Sequence, residues 1–131
     1  MGDGGPVRVL VVDDDDLFRE SVKSLLDAHE RIEVVATAAS GEEALEAARA
    51  HEPECVCMDV AMPGVGGIEA SRIIRAERPS TRVILVSGSI FSDFAGATEQ
   101  ADADAFTTKS RLATELPATI LRVCGEAPPT G

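Results

Sequence analysis

A chain of 131 residues, 44% of them apolar, has room for one domain with a single core that needs no disulfide or metal staple. The formal net charge of −11, with no aromatic-plus-basic patch, excludes direct binding to nucleic-acid phosphates. No apolar run approaches a membrane span and no signal-peptide pattern opens the chain, so a cytoplasmic protein is expected.

Met1–Pro6 reads as a short disordered lead. Val7–Val12 (VRVLVV) is too short for a helix and rich in β-branched residues, which predicts a strand. Four aspartates, Asp13–Asp16, follow it. Phe18, Val22, Leu25 and Leu26 then recur on one helical face, with Asp16 placed as N-cap. Ile32–Ala39 is the second strand. Ser40 and Glu43 make a capping box for a helix through Ala44, Leu45 and Ala48, stopped by Pro53. Glu54–Asp59 (ECVCMD) is a third strand, again ending in aspartate. The turn Met62–Gly67 leads to a helix with Ile68, Ile73 and Ile74, closed by Pro79. Arg82–Ser87 is the fourth strand. Ser89–Ala101 should be helical, but Gly96 and Thr98 make it a weak former and suggest a segment of low local stability. Ala105–Thr107 is a short fifth strand. Glu115–Cys124 forms the last helix, with Pro117 in its first turn and Gly125 as its stop. The tail after it reads as a linker or an artificial end, leaving residues 7–125 as the domain.

Three cysteines, Cys55, Cys57 and Cys124, lack metal spacing and read as small buried hydrophobes. Cys55 and Cys57 share a strand face and cannot easily bridge each other. His29 and His51 read as surface residues near helix C-termini. Arginines outnumber lysines ten to two, so each lysine merits inspection.

Strands alternating with helices predict an α/β fold, a doubly wound parallel sheet covered on both faces. Ligands of such sheets bind beyond the carboxyl ends of the strands. Asp13 and Asp14, Asp59, Ser87 and Lys109 follow four of those strands, so three carboxylates, a hydroxyl and an ammonium meet at one edge. Carboxylates held close repel, and must take up protons or bind a cation. Hard oxygen ligands with room for water suit Mg²⁺. A carboxylate can also accept a phosphoryl group covalently, and Lys109 and Ser87 could contact the phosphoryl oxygens.

The apolar strand plus Asp13-Asp14, the Asp59-x-x-Met62-Pro63-x-x-x-Gly67 turn, Ser87-Gly88 and Lys109 resemble the response-regulator receiver pattern over Val7–Gly125. That resemblance implies a flavodoxin-like (βα)5 sheet in the order 2-1-3-4-5. It implies that Asp59 is the phosphoacceptor, and that Asp14, Asp59 and the Ala61 carbonyl ligate Mg²⁺ with Asp13 acting through water. Ser87 and Phe106 become the switch pair, the bland alternative for Phe106 being a core ring at a strand centre. The responsive face would be the helix over 89–101, the fifth strand and the last helix. A sensor histidine kinase is the implied donor, with homodimerisation on phosphorylation as an option. The chain would catalyse only its own phosphorylation and dephosphorylation, and would not otherwise be an enzyme. VLVVDDDDLFRESV and Leu-Arg-Val-Cys-Gly-Glu look similar to the NarL/LuxR-type subfamily, whose members reach DNA through a helix-turn-helix domain that these 131 residues do not contain. The chain is then an excised receiver or a single-domain regulator, and the linker-like tail favours the former.

The family's usual Ala-Gly-Ala-x-Gly-Tyr stretch reads Ala101-Asp102-Ala103-Asp104-Ala105-Phe106 here. Loss of both glycines questions the local turn, since other residues resist positive φ. Ser110 stands where many receivers carry proline, and Gly88 where alanine is common. Small Ala61 and Ser89 beside the acceptor would admit water and give a short-lived phosphorylated state. Two rivals stand beside the receiver. Asp13-x-Asp15 resembles the nucleophile motif of haloacid-dehalogenase-type phosphatases, but no acidic pair follows Lys109 and Asp59 is left without a role. A receiver-like module that never takes phosphate is the other. A dinucleotide-binding fold fails, because its first turn must be glycine-rich and not acidic.

Overall fold

The computed structural model describes residues 5–62, 64–88, 96, 99 and 101–124. Along the chain run β1 (Val7–Val12), α1 (Asp16–Asp27), β2 (Ile32–Ala38), α2 (Gly41–His51) and β3 (Cys55–Asp59). After them come α3 (Gly67–Glu77), β4 (Arg82–Ser87), β5 (Ala105–Thr108) and the C-terminal helix, α4 (Leu112–Val123). The strands form one parallel sheet ordered β2-β1-β3-β4-β5, the flavodoxin-like order expected. The helix expected over Ser89–Ala101 falls mostly outside the described residues, but Gly96, Glu99 and Ala101 within it are helical. Most of the lead, Pro63, and the chain from residue 125 onward also lie outside them.

Successive residues of a strand point to opposite faces, and that alternation sorts the core into two layers. Leu10, Val12, Val56, Met58, Val83 and Leu85 pack with Ala44 and Ala48 of α2 and with Ala70 and Ile74 of α3. Val9, Val11, Cys55, Cys57, Ile84 and Val86 pack with Val22 and Leu26 of α1 and with Leu116 and Ile120 of α4. With both faces covered, the inner strands are apolar throughout, as a parallel sheet requires. Burying each such side chain contributes about 1.5–3 kcal/mol. The ladders align the carboxyl ends: Val12 lies opposite Met58, Asp59 opposite Val86, and Ser87 opposite Thr108.

Several element ends differ from expectation. Asp15, not Asp16, caps α1, its Oδ1 accepting from Leu17 N at 3.0 Å and Phe18 N at 3.2 Å. Asp16 is instead the first helical residue and pairs with Arg19 at 2.6 Å. The capping box of α2 is present, with Glu43 N donating to Ser40 Oγ at 3.1 Å. Its return arm reaches one residue further back, where Ala39 N donates to Glu43 Oε1 at 2.8 Å. The last helix begins at Leu112, so Pro117 sits beyond its first turn and leaves the Ala113 carbonyl without its intrahelical donor. The apolar stripe of Leu112, Leu116 and Ile120 outweighs that loss. His51 is exposed at the end of α2, whereas His29 is half-buried, its Nδ1 accepting from Arg31 N at 3.2 Å.

Two glycines hold the loops beside the carboxyl edge. A Cβ on Gly67 would overlap the Asp59 carbonyl oxygen and press on Met58 Cγ, and one on Gly41 would overlap the Val65 carbonyl oxygen. Among the described residues nothing lies within 4 Å of a Cβ placed on Gly66. Gly67→Ala is therefore expected to cost about 1–3 kcal/mol through overpacking, while Gly66→Ala costs less than about 1 kcal/mol at a capping position. Urea midpoints of the two variants check this, and equal midpoints would contradict the close approach.

Candidate functional site

Each strand end delivers its residue by ordinary backbone pairing. Asp13 N donates to the Ala38 carbonyl at 3.1 Å as β1 ends, which turns the Asp13 side chain into the interior at 2% exposure. Its Oδ1 accepts from Asp15 N at 2.8 Å, and its carbonyl accepts from Arg19 Nη1 at 2.7 Å. Asp14 is exposed. Asp59 closes β3 at 4% exposure, with Oδ1 accepting from Ala61 N at 3.2 Å. Ser87 closes β4 and is buried; its carbonyl accepts from Lys109 N at 2.8 Å, which fixes where the lysine leaves β5. Asp14, Asp15, Asp59, Ala61, Ser87 and Lys109 border an open cleft of about 780 Å³.

The carboxylate oxygens of Asp13, Asp14 and Asp59 lie within 4.8 Å of one another, the only such group of potential metal ligands among the described residues. Lys109 Nζ stands 2.9 Å from Asp13 Oδ2, off the line of a hydrogen bond, and 4.2 Å above the centre of the Phe18 ring. Burial, reinforced by the Asp13 charge and less so by Asp14, pushes Asp59 up to about 6; Lys109 and the Ala61 N–H oppose the rise. Burial works against the Lys109 ammonium but is outweighed by Asp13, Asp59 and Asp15, and the group is held above its ordinary range. One ammonium thus faces three carboxylates. An all-oxygen donor set with unbalanced negative charge and an open side to solvent fits a small hard cation.

Asp13, Asp14, Asp59, Ala61, Ser87 and Lys109 thus lie together at this edge of the sheet. Phe106 sits in β5 opposite Leu85, half-buried against the α2–α3 layer and away from the cleft lining. Asp15 borders the cleft, but its Oδ1 is engaged in capping α1, and Glu115 contacts Thr107 at 3.4 Å and Arg111 at 3.8 Å, outside the cleft lining. Neither arrangement favours the phosphatase motif. The stretch without glycines keeps its turn after all: Asp102 takes φ 57°, a left-handed conformation that aspartate tolerates better than most residues. Asp104 then staples β5 to β4, its Oδ2 accepting from Val83 N at 2.9 Å and Arg75 Nη1 at 2.6 Å. Phe18 and Arg19 were not singled out as site residues by sequence reasoning. The available signal was their place in the first turn of a helix that starts directly on the acidic run.

The raised Asp59 makes stability depend on pH. A carboxyl whose folded-state value lies above its unfolded one, near 4, favours the fold fully only below about pH 4, and that contribution is lost as pH rises through 6. Asp59→Asn removes the effect. Without divalent cations the variant should match wild type near pH 4 and exceed it by up to about 3 kcal/mol above pH 7. Urea midpoints across that range check this, and a pH-independent difference would contradict it.

The family model described as response regulator receiver domain matches residues 9–121. Response regulator GacA of Pseudomonas viridiflava is 42% identical over 103 residues, 79% of this chain and 48% of that protein. A LuxR-family two-component response regulator from Aurantimonas sp. SI85-9A1 is similar in structure with TM-score 0.86 and 34% identity, covering 93% of this chain and 87% of that one. A chain of the CheX–CheY–BeF3–Mg²⁺ complex from Borrelia burgdorferi has TM-score 0.82 and 25% identity, covering 92% of this chain and 90% of that one. The chain spans about half the length, or less, of the curated relatives it matches. No described helix is long and apolar enough to cross a membrane. With the sheet order, the acidic cluster at its carboxyl edge and a family match over nearly all described residues in agreement, this chain belongs to the response-regulator receiver domains of two-component signalling and is not a conventional enzyme.

Proposed function

We propose that Asp59 accepts a phosphoryl group from a phosphohistidine of a sensor histidine kinase, and that the resulting acyl phosphate switches the face around β5. The observation that carries this reading is the buried Asp59 carboxylate at a strand end, open to a cleft and flanked by Asp13, Asp14 and Lys109. Above pH 6 the carboxylate is ionised and can attack phosphorus as the donor's N–P bond breaks and the imidazole leaves. Asp13, Asp14 and Asp59, with the Ala61 carbonyl, would hold Mg²⁺, which when bound neutralises the carboxylates and the charge on the transferring group.

Converting the Asp59 carboxylate to an acyl phosphate dianion adds about one negative charge and places three phosphoryl oxygens beside Asp13. That charge competes for Lys109, which now pairs with Asp13, and offers the Ser87 hydroxyl a strong acceptor. Ser87 and Lys109 belong to neighbouring chain ends joined by a main-chain bond, so a shift of one is felt by the other and by Phe106 in β5. Ala61 and Gly88 leave the acceptor open to water, which favours a short-lived phosphorylated state; among the described residues a Cβ on Gly88 would meet only the Lys109 stem, at 3.6 Å. The similarity to LuxR-family regulators supports transcription as the output, through a DNA-binding domain not contained in these residues.

Intact-mass spectra after incubation with acetyl phosphate should show one Mg²⁺-dependent phosphoryl adduct on wild type and none on Asp59→Asn. Catalytic hydrolysis of the donor without an adduct would favour a phosphatase. Neither adduct nor hydrolysis would favour a module that works without phosphate.

A further inference from the structure

The sheet edge opposite the carboxylates carries a second group of reactive side chains. β3 begins with fully buried Cys55, and the turn after α4 places Cys124, half-buried, with its Sγ 3.9 Å from the Glu54 carbonyl oxygen. Both pack in the same apolar layer as Cys57, and all three are free thiols. Glu54 immediately precedes Cys55, so the Cys124 thiol lies against the start of the strand that buries Cys55, from the far end of the domain.

The two thiols differ as a reactive pair needs. The neighbouring Cys124 and Cys57 thiols, together with burial, push the Cys55 thiol well above its usual range. The Cys55 thiol draws Cys124 below its usual value against burial and Glu54, with Arg82 assisting. Cys124 also borders an open cleft of about 300 Å³ with Glu52, Glu54, Arg78 and Arg82, so a small solute can reach it. The thiols do not form a metal site, because the three aspartates are the only close group of potential ligands among the described residues.

We propose that Cys124 and Cys55 are an oxidant-sensing pair, closed to an intramolecular disulfide by hydrogen peroxide. The Cys124 thiolate attacks one peroxide oxygen, the O–O bond breaks, and hydroxide leaves and takes up a proton, giving a sulfenic acid. The Cys55 sulfur then attacks the Cys124 sulfur, forming the S–S bond as hydroxide departs with the Cys55 proton as water. Two thiols are oxidised by two electrons and one peroxide is reduced to two waters. The bond ties the end of α4 to the start of β3, the strand that bears Asp59 at its other end.

The test is peroxide treatment of the wild-type chain, quenching, alkylation with iodoacetamide, intact-mass measurement and peptide mapping. The expected product is a monomer lighter by about 2 Da before alkylation, with Cys57 alone alkylated, a Cys55–Cys124 linked peptide, and full reversal by dithiothreitol. Cys57→Ala should keep the product and Cys124→Ser should abolish it. Cys55→Ala should leave a Cys124 sulfenic acid that dimedone traps. Because Cys55 lies in the core and its variant can fail to fold, Cys124→Ser at the half-buried partner carries the decision. Three alkylated thiols after treatment, a disulfide joining two chains, or the same product from Cys124→Ser would overturn the proposal.

Discussion

Asp13, Asp14 and Asp59 hold their carboxylate oxygens within 4.8 Å, and Lys109 is the one ammonium that borders them among the described residues. Like charges at that range repel by several kcal/mol where water is partly excluded, so the arrangement must be built by the rest of the fold. Asp59 shows the consequence, since burial and the Asp13 charge make it hold its proton to about pH 6. A group strained in this way has much to gain from a cation or from a phosphoryl group that brings one. The repulsion is what makes the edge responsive.

The scaffold supplies the opposing energy. Two apolar layers, one under α2 and α3 and the other under α1 and α4, fix the sheet from both sides and leave its carboxyl edge no freedom to spread. Local contacts then aim each group. Asp15 spends its carboxylate on the α1 cap, Arg19 grips the Asp13 carbonyl, and Gly67 lets the β3–α3 loop pass against the Asp59 carbonyl. Phe18 stands under Lys109 and offers its ring face to the ammonium, which holds the lysine on the Asp13 side of the cleft.

Much of this was legible in the residues. The bounds of β1 and β4 are legible because Pro6 and Asp13 bracket the first apolar run and Arg82 and Ser87 end the second. Asp13, Asp14, Asp59, Ser87 and Lys109 could be gathered because a parallel sheet sends every strand end to the same edge. The errors have physical causes. Four successive aspartates offer two plausible caps, and only the start of α1 chooses Asp15. Pro117 looked like a first-turn residue, yet the stripe from Leu112 carries the helix through it. Asp102 adopts a glycine-like φ that its side chain alone does not announce. Phe18 counted as part of an apolar stripe, and its place beneath Lys109 appears only when α1 and β5 are brought together. The switch roles of Ser87 and Phe106 depend on movement and came from the family resemblance, not from pattern.

Linkage between cation binding and the proton on Asp59 tests the account most directly. Calorimetric titration with Mg²⁺ at pH 6 and pH 8, in buffers of different ionisation heat, counts the protons released. With Asp59 titrating at about 6, binding should release about half a proton at the lower pH and almost none at the higher, and Asp59→Asn should release none at either. Mg²⁺ binding with no proton release at pH 6, or no binding at either pH, would contradict the claim that charge crowding at this edge governs the switch.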